Sequence, residues 1–180
     1  MSQFPNKQFK GVLYTFQHLA PFNVSVNLTP PVPMTVKFGS HCFTEAFDST
    51  IHIDHHKYSY NNEIRAFDLE RYTCSLILPA LVQSMLSGMI YDAKESYTYV
   101  AKISILGAGG TTDYSIFFSL KKDNQKPHPA LIMFIKSAYL KSLMSSKNAK
   151  NWRFPSLAGQ IAGVFPPPVK KPKPQKKKTP

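Results

Sequence analysis

Residues 65 to 82, Arg-Ala-Phe-Asp-Leu-Glu-Arg-Tyr-Thr-Cys-Ser-Leu-Ile-Leu-Pro-Ala-Leu-Val, constrain this chain more than any other stretch. Tyr72, Leu76 and Ile77 recur at helical spacing behind Asp68, whose short carboxylate can accept from the free amides of a first helical turn. Pro79 either closes this helix or stands in the first turn of a second one carrying Leu81, Val82, Met85 and Leu86, and Gly88 ends the run. Arg71 falls early in the helix, where a cation gains nothing from the helix dipole, so it either serves a site or is an ordinary solvated arginine, free to pair with Glu63 or Glu70.

The rest of the chain reads as strands that must pack on this helical segment. Residues 8 to 28 are extended, with His18 in a link between Gly11–Phe16 and the alternating run Phe22–Leu28. Thr29-Pro-Pro-Val-Pro33 breaks any ladder, because proline lacks the amide donor. In the strand that begins at Met34, Met34, Val36, Phe38 and Cys42 point inward and Thr35, Lys37, Gly39 and His41 share the other face. Residues 48 to 63 are polar and histidine-rich, an excursion that ends in an Asn61-Asn62 turn. Beyond Gly88, Met89–Tyr91, Tyr97–Leu106, Tyr114–Leu120 and Ala130–Tyr139 alternate or run apolar. Gly107-Ala-Gly-Gly and the Lys121–Pro129 turn join the last three into an antiparallel meander. The Ala130–Ile135 run is apolar enough for a central strand covered on both faces.

These elements predict an α+β fold: a twisted antiparallel sheet with a C-terminal meander, packed against one or two helices, with an extra N-terminal hairpin. Residues 1–145 form the single domain. Residues 146–165, with Trp152, Phe154, Leu157, Ile161 and Phe165, form a docked or partly ordered segment. Residues 166–180 form a lysine- and proline-rich tail expected to be disordered.

Charge narrows the partners. The net charge is +12, and Lys170, Lys171, Lys173, Lys176, Lys177 and Lys178 account for half of it, leaving the remainder of the chain basic as well. Such a balance favours an anionic partner, RNA first and DNA second. Lys37, His55, Lys102 and the tail lysines are the candidate contacts, and Tyr58, Tyr60, Tyr97 and Tyr99 are candidate stacking rings. No apolar run is long enough to span a membrane, and the first ten residues lack an apolar signal core. Cys42 and Cys74 form no close pair, which points to a reducing, cytoplasmic setting.

Several chemistries find no motif here: no phosphate loop, no nucleophile elbow and no paired CxxC. On an extended chain His52, Asp54 and His56 would share a face, but a closed metal site needs a fourth ligand, so neither metal nor cofactor is implied. Metal-independent RNA cleavage instead needs a base for the 2′-hydroxyl, an acid for the leaving oxygen and cations for the phosphate. His41 on an open strand face, Arg71 on the helix, and Lys136, Ser137 and Tyr139 at the end of the last strand supply those types.

With Ser40-His41-Cys-Phe-Thr44, the helix from Arg65 to Pro79, Tyr114-Ser-Ile-Phe-Phe and Ile135-Lys-Ser-Ala-Tyr139, residues 34–142 resemble the toxin and phage-associated endoribonucleases of the barnase, EndoU, colicin E5/D and RelE-like fold. The resemblance implies RNA cleavage without metal, a site of His41, Arg71 and Ser137 or Tyr139, and a protein partner that neutralises the toxin. The N-terminal hairpin and the insertion at 48–63 depart from that family's compact pattern. The alternative is a non-catalytic basic protein of phage or mobile-element origin that binds nucleic acid or blocks a host machine.

Overall fold

The computed structural model describes residues 3–93, 96–104, 110–141 and 150–165. The N-terminal hairpin is β1 (Lys7–Phe9) and β2 (Val12–Tyr14), joined through Lys10 and Gly11, both at positive φ. A 3-10 turn at Gln17–Leu19 holds His18 and leads to β3 (Phe22–Val26) and the long β4 (Val32–His41). β4 therefore begins two residues before the expected Met34. Pro33 is tolerated because β11 (Leu131–Leu140), the neighbour on the other side, starts its pairing at Met34, so the missing amide removes no bond on that side.

A second, three-stranded sheet interrupts the chain here: β5 (Thr44–Ala46), β6 (Lys57–Tyr60) and β7 (Glu63–Phe67), in the order β5-β7-β6. Asn61 and Asn62, with φ of 49° and 61°, make the expected tight turn between β6 and β7. The helical stretch then opens at Asp68, whose side chain accepts from the Arg71 amide at 2.8 Å. Helix α1 (Leu69–Ser75) gives way to α2 (Leu78–Met85), with Pro79 in the first turn of the second helix. Leu78, Val82 and Met85 form the buried stripe of α2.

β8 (Met89–Ala93), β9 (Ser96–Ser104), β10 (Thr111–Lys122) and β11 build the antiparallel meander. The loop at 105–109 lies outside the described residues. β12 (Asn151–Arg153) adds to the edge at β8, and α3 (Phe154–Ala162) follows it, capped by Gly163 at φ 76°. The seven-stranded order is β12-β8-β9-β10-β11-β4-β3, antiparallel except for one parallel pair, β11 with β4. The fold is thus α+β with three helices among the described residues, and the sequence pattern held no sign of the parallel pairing. The lysine-proline tail lies outside the described residues. No described helix is long and apolar enough to cross a membrane.

Two packed regions meet at β4. One lies under the large sheet, where Val36, Phe38, Tyr114, Ile116, Phe118, Met133, Ile135 and Phe154 are fully buried. The other is an aromatic cluster between the N-terminal hairpin, the small sheet and α1. Phe16 stacks obliquely on Phe43 at 4.1 Å and meets Tyr58 and Tyr72 edge-on. Such pairs add roughly 0.5–1.5 kcal/mol each beyond their burial.

His18 ties the junction of α1 and α2 to the N-terminal region. Its Nε2 donates to Ser75 Oγ at 2.8 Å, since that hydroxyl spends its own proton on the Tyr72 carbonyl. Burial pushes the His18 imidazole below its ordinary pKa. The unfolded chain then takes a proton near the ordinary value of 6.5 while the folded chain resists, so this contribution is present above that pH and is lost as the pH falls through the folded value. In urea melts from pH 7.5 to 5, the stability advantage of wild type over His18→Asn should shrink with acid; a constant or growing advantage would refute the assignment.

Candidate functional site

The open face of β4, β10 and β11 carries a groove of about 740 Å³ lined by Phe38–His41, Phe117, Phe134, Lys136, Ser137 and Tyr139. Tyr60, Asn61 and Glu63 of the β6–β7 hairpin wall it, and Gln3, donating to the Phe38 carbonyl at 2.9 Å, closes one side.

A β-bulge places the side chains. Against β10 the pairing slips between Phe117 and Phe118 and leaves Lys136 as an extra residue of β11. Against β4 the step from the Ile135 and Phe38 pair to the Ser137 and His41 pair sets Gly39 and Ser40 opposite Lys136, so there the extra residue is on β4. Before the slip Leu131, Met133 and Ile135 point to the core; after it Ala138 does. Phe134, Lys136, Ser137 and Tyr139 consequently all line the groove. The strand is not covered on both faces as its apolar run suggested, for Phe134 is 38% exposed.

β4 ends in a turn in which Cys42 and Phe43 donate their amides to the Gly39 and Ser40 carbonyls. That turn buries Cys42 against the Ile135 carbonyl and Phe43 in the aromatic cluster, leaving His41, the residue before them, in the groove. Burial pushes the Cys42 thiol up to about 12, with the Gly39 hydrogen bond and the Arg71 charge pulling weakly the other way, so it is no thiolate nucleophile.

His41 Nε2 lies 3.2 Å from both oxygens of Glu63. A carboxylate only accepts, so Nε2 carries the proton and Nδ1 is the acceptor in the neutral ring. Both side chains are near half exposed, and such a pair is worth about 0–1 kcal/mol, so it orients the ring more than it stabilises the fold. Burial pushes the Glu63 carboxyl up, but hydrogen bonds from Arg65 and His41 outweigh it and hold the group below the usual range.

Arg71 does not pair with Glu63 or Glu70. Its Nη1 donates to the Thr44 carbonyl at 2.9 Å, and its guanidinium lies 4.8 Å from the ring centre of Tyr139. Arg65 takes the place beside Glu63, with Nη1 at 3.0 Å and Nε donating to Thr44 Oγ1 at 2.7 Å. Tyr139 in turn stacks on Phe117 at 5.3 Å.

Of the residues singled out for catalysis, His41, Lys136, Ser137 and Tyr139 share the groove, and Arg71 touches it through Tyr139. The proposed contact residues scatter. Lys37 is exposed on the groove's face of β4, opposite Phe134. His55 stacks on Phe9 and accepts from the Lys10 amide at the N-terminal hairpin, and Lys102 pairs with Asp113 on the neighbouring strand. The tail lysines lie outside the described residues. The tyrosines named for stacking are otherwise engaged: Tyr58 is buried with its hydroxyl on the Pro5 carbonyl, Tyr97 packs on Phe118, Tyr99 abuts Gly88, and Tyr60 leans on Phe4.

His52, Asp54 and His56 turn to separate partners, Glu45, Lys57 and the Ile53 amide respectively. No group of three such side chains among the described residues converges as a metal site. Glu63, Phe117 and Phe134 were missed as site residues, because only the bulge and the hairpin bring them to His41.

The model of the YjaZ family matches residues 6–162. The chain belongs to the YjaZ family. No curated protein and no solved structure matches it. The match to this YjaZ-family chain runs from the N-terminal hairpin to the end of α3 and so includes all of the groove except Gln3.

Gly39 is the tightest point of the site. A Cβ there would stand 2.9 Å from the Lys136 carbonyl oxygen and 3.1 Å from the Phe134 ring. Gly39→Ala should destabilise the fold by about 1–3 kcal/mol in denaturant melts, since backbone has to move. An unchanged midpoint would mean that β4 and β11 separate freely. By contrast, His41→Ala should leave the fold intact and raise the Glu63 carboxyl toward its ordinary range, followed by carbon-13 NMR titration. No movement of Glu63 would disprove the dyad.

Proposed function

We propose that this protein is a metal-independent endoribonuclease that cleaves RNA through attack of the 2′-hydroxyl on the adjacent phosphate. One observation carries the reading: His41, oriented by Glu63 through Nε2, shares a single groove with Lys136, Ser137 and the Arg71-backed Tyr139. In this scheme Nδ1 of His41 takes the 2′-hydroxyl proton as the 2′-oxygen bonds to phosphorus. The bond from phosphorus to the 5′-oxygen breaks, and Tyr139 gives that oxygen its proton. Solvent returns the proton from the imidazolium to the phenolate, and the product carries a 2′,3′-cyclic phosphate. Lys136 and the Ser137 hydroxyl face the charge that develops on the phosphate oxygens. Among the described lining residues Glu63 is the one carboxylate, and Arg65 lies beside it to offset its charge toward an anion.

A toxin or phage-defence role, and with it a neutralising protein partner, accompanies this chemistry by resemblance. The competing reading, a basic protein that binds nucleic acid without cutting it, predicts a salt-dependent complex with intact RNA.

The test is incubation with end-labelled RNA in EDTA. Wild type should cleave and leave cyclic ends, and His41→Ala should lose about 10²–10⁴-fold in rate while still binding. Equal cleavage by His41→Ala, or cleavage only after metal is added, would rule the scheme out.

A further inference from the structure

We infer that the groove takes single-stranded RNA by stacking one unpaired base on Phe134, with Lys37 and Lys136 flanking its phosphates; this rests on the nuclease reading and names its substrate class. Phe134 is a large ring left 38% exposed in the middle of a strand whose other apolar residues are buried or half-buried. Nothing in apolar packing calls for a phenylalanine there. Its ring lies against Gly39, where a methyl group would stand 3.1 Å from Cζ, so the missing side chain of Gly39 is what lets the ring settle over β4. Lys37 is its partner across the parallel pair, and Lys136 follows two residues along β11 on the same side of the sheet. A cation, a ring and a second cation therefore line up beside His41.

Lys37 and His41 stand four residues apart on an extended strand, about 13 Å, which leaves room for a stacked base and its flanking phosphates before the reacting 2′-hydroxyl. The other rings of the groove are already engaged: Tyr139 holds Arg71 and Phe117, and Tyr60 leans on Phe4. Phe134 has no ring partner among the described residues. Base-on-ring stacking tolerates any base but needs the base face free, and a duplex hides that face. The hairpin wall at Tyr60, Asn61 and Glu63 with Gln3 bounds the groove beside His41.

Single-stranded DNA bearing one 2-aminopurine tests this apart from cleavage, because it lacks the 2′-hydroxyl. Wild type should bind it with a change in 2-aminopurine fluorescence, and should bind the same oligonucleotide as a duplex at least tenfold more weakly. Phe134→Leu should weaken single-strand binding roughly tenfold and abolish the fluorescence change, whereas Phe134→Tyr should retain both. Lys37→Gln should lower affinity and flatten its salt dependence without removing the fluorescence signal. Unaltered binding by Phe134→Leu, or a duplex bound as tightly as the single strand, would overturn the stacking inference even if RNA is cleaved. Stacking without any cleavage of RNA would overturn the nuclease reading alone.

Discussion

The parallel pairing of β4 with β11 is the constraint on which the rest depends. It brings together two strands that the chain keeps far apart, and it works only because Gly39 has no side chain where the Lys136 carbonyl oxygen presses close. Parallel ladders need both strands well packed, and here Val36, Phe38, Met133 and Ile135 supply the buried side. The slip at Lys136 against β10 then turns two successive residues of β11 toward the groove. A regular strand would have sent either Lys136 or Ser137 into the core.

The small sheet is anchored to this edge from two directions. Phe43, one step past Cys42, is locked among Phe4, Phe16 and Tyr58, so the turn after His41 has little freedom. On the polar side the Thr44 carbonyl receives Arg71 from the helix and, more loosely at 3.5 Å, Arg65 from β7. Each arginine also touches a groove residue, Glu63 or Tyr139. One carbonyl thus joins the hairpin that orients His41 to the helix that backs Tyr139.

Much of this was legible in the residues, and the omissions have physical reasons. The Asp68 cap, the Asn61-Asn62 turn, the meander and the open face of His41 follow from local rules of capping, turn geometry and alternation. Whether Pro79 ended one helix or began another was undecidable locally, since both positions suit it; burial of Leu78, Val82 and Met85 decides. The parallel partner of β11 was illegible because it is a strand nearly a hundred residues earlier, and the bulge because it exists only in the register that β11 adopts against β10. Alternation gave Lys136 and Ser137 opposite faces, and only the slipped register puts them together. The basic composition named Lys102 and His55, yet each has a local partner that composition does not reveal.

The separation in sequence between the two walls of the groove has a consequence for how the protein comes into being. Cys42 meets the Ile135 carbonyl across 93 positions. During synthesis His41, Glu63 and Arg71 leave the ribosome well before Lys136, Ser137 and Tyr139. Contacts of such range also close slowly once the chain is free. The groove therefore exists only after β11 has been made and has paired with β4, so whatever it does begins late in folding rather than with its first wall.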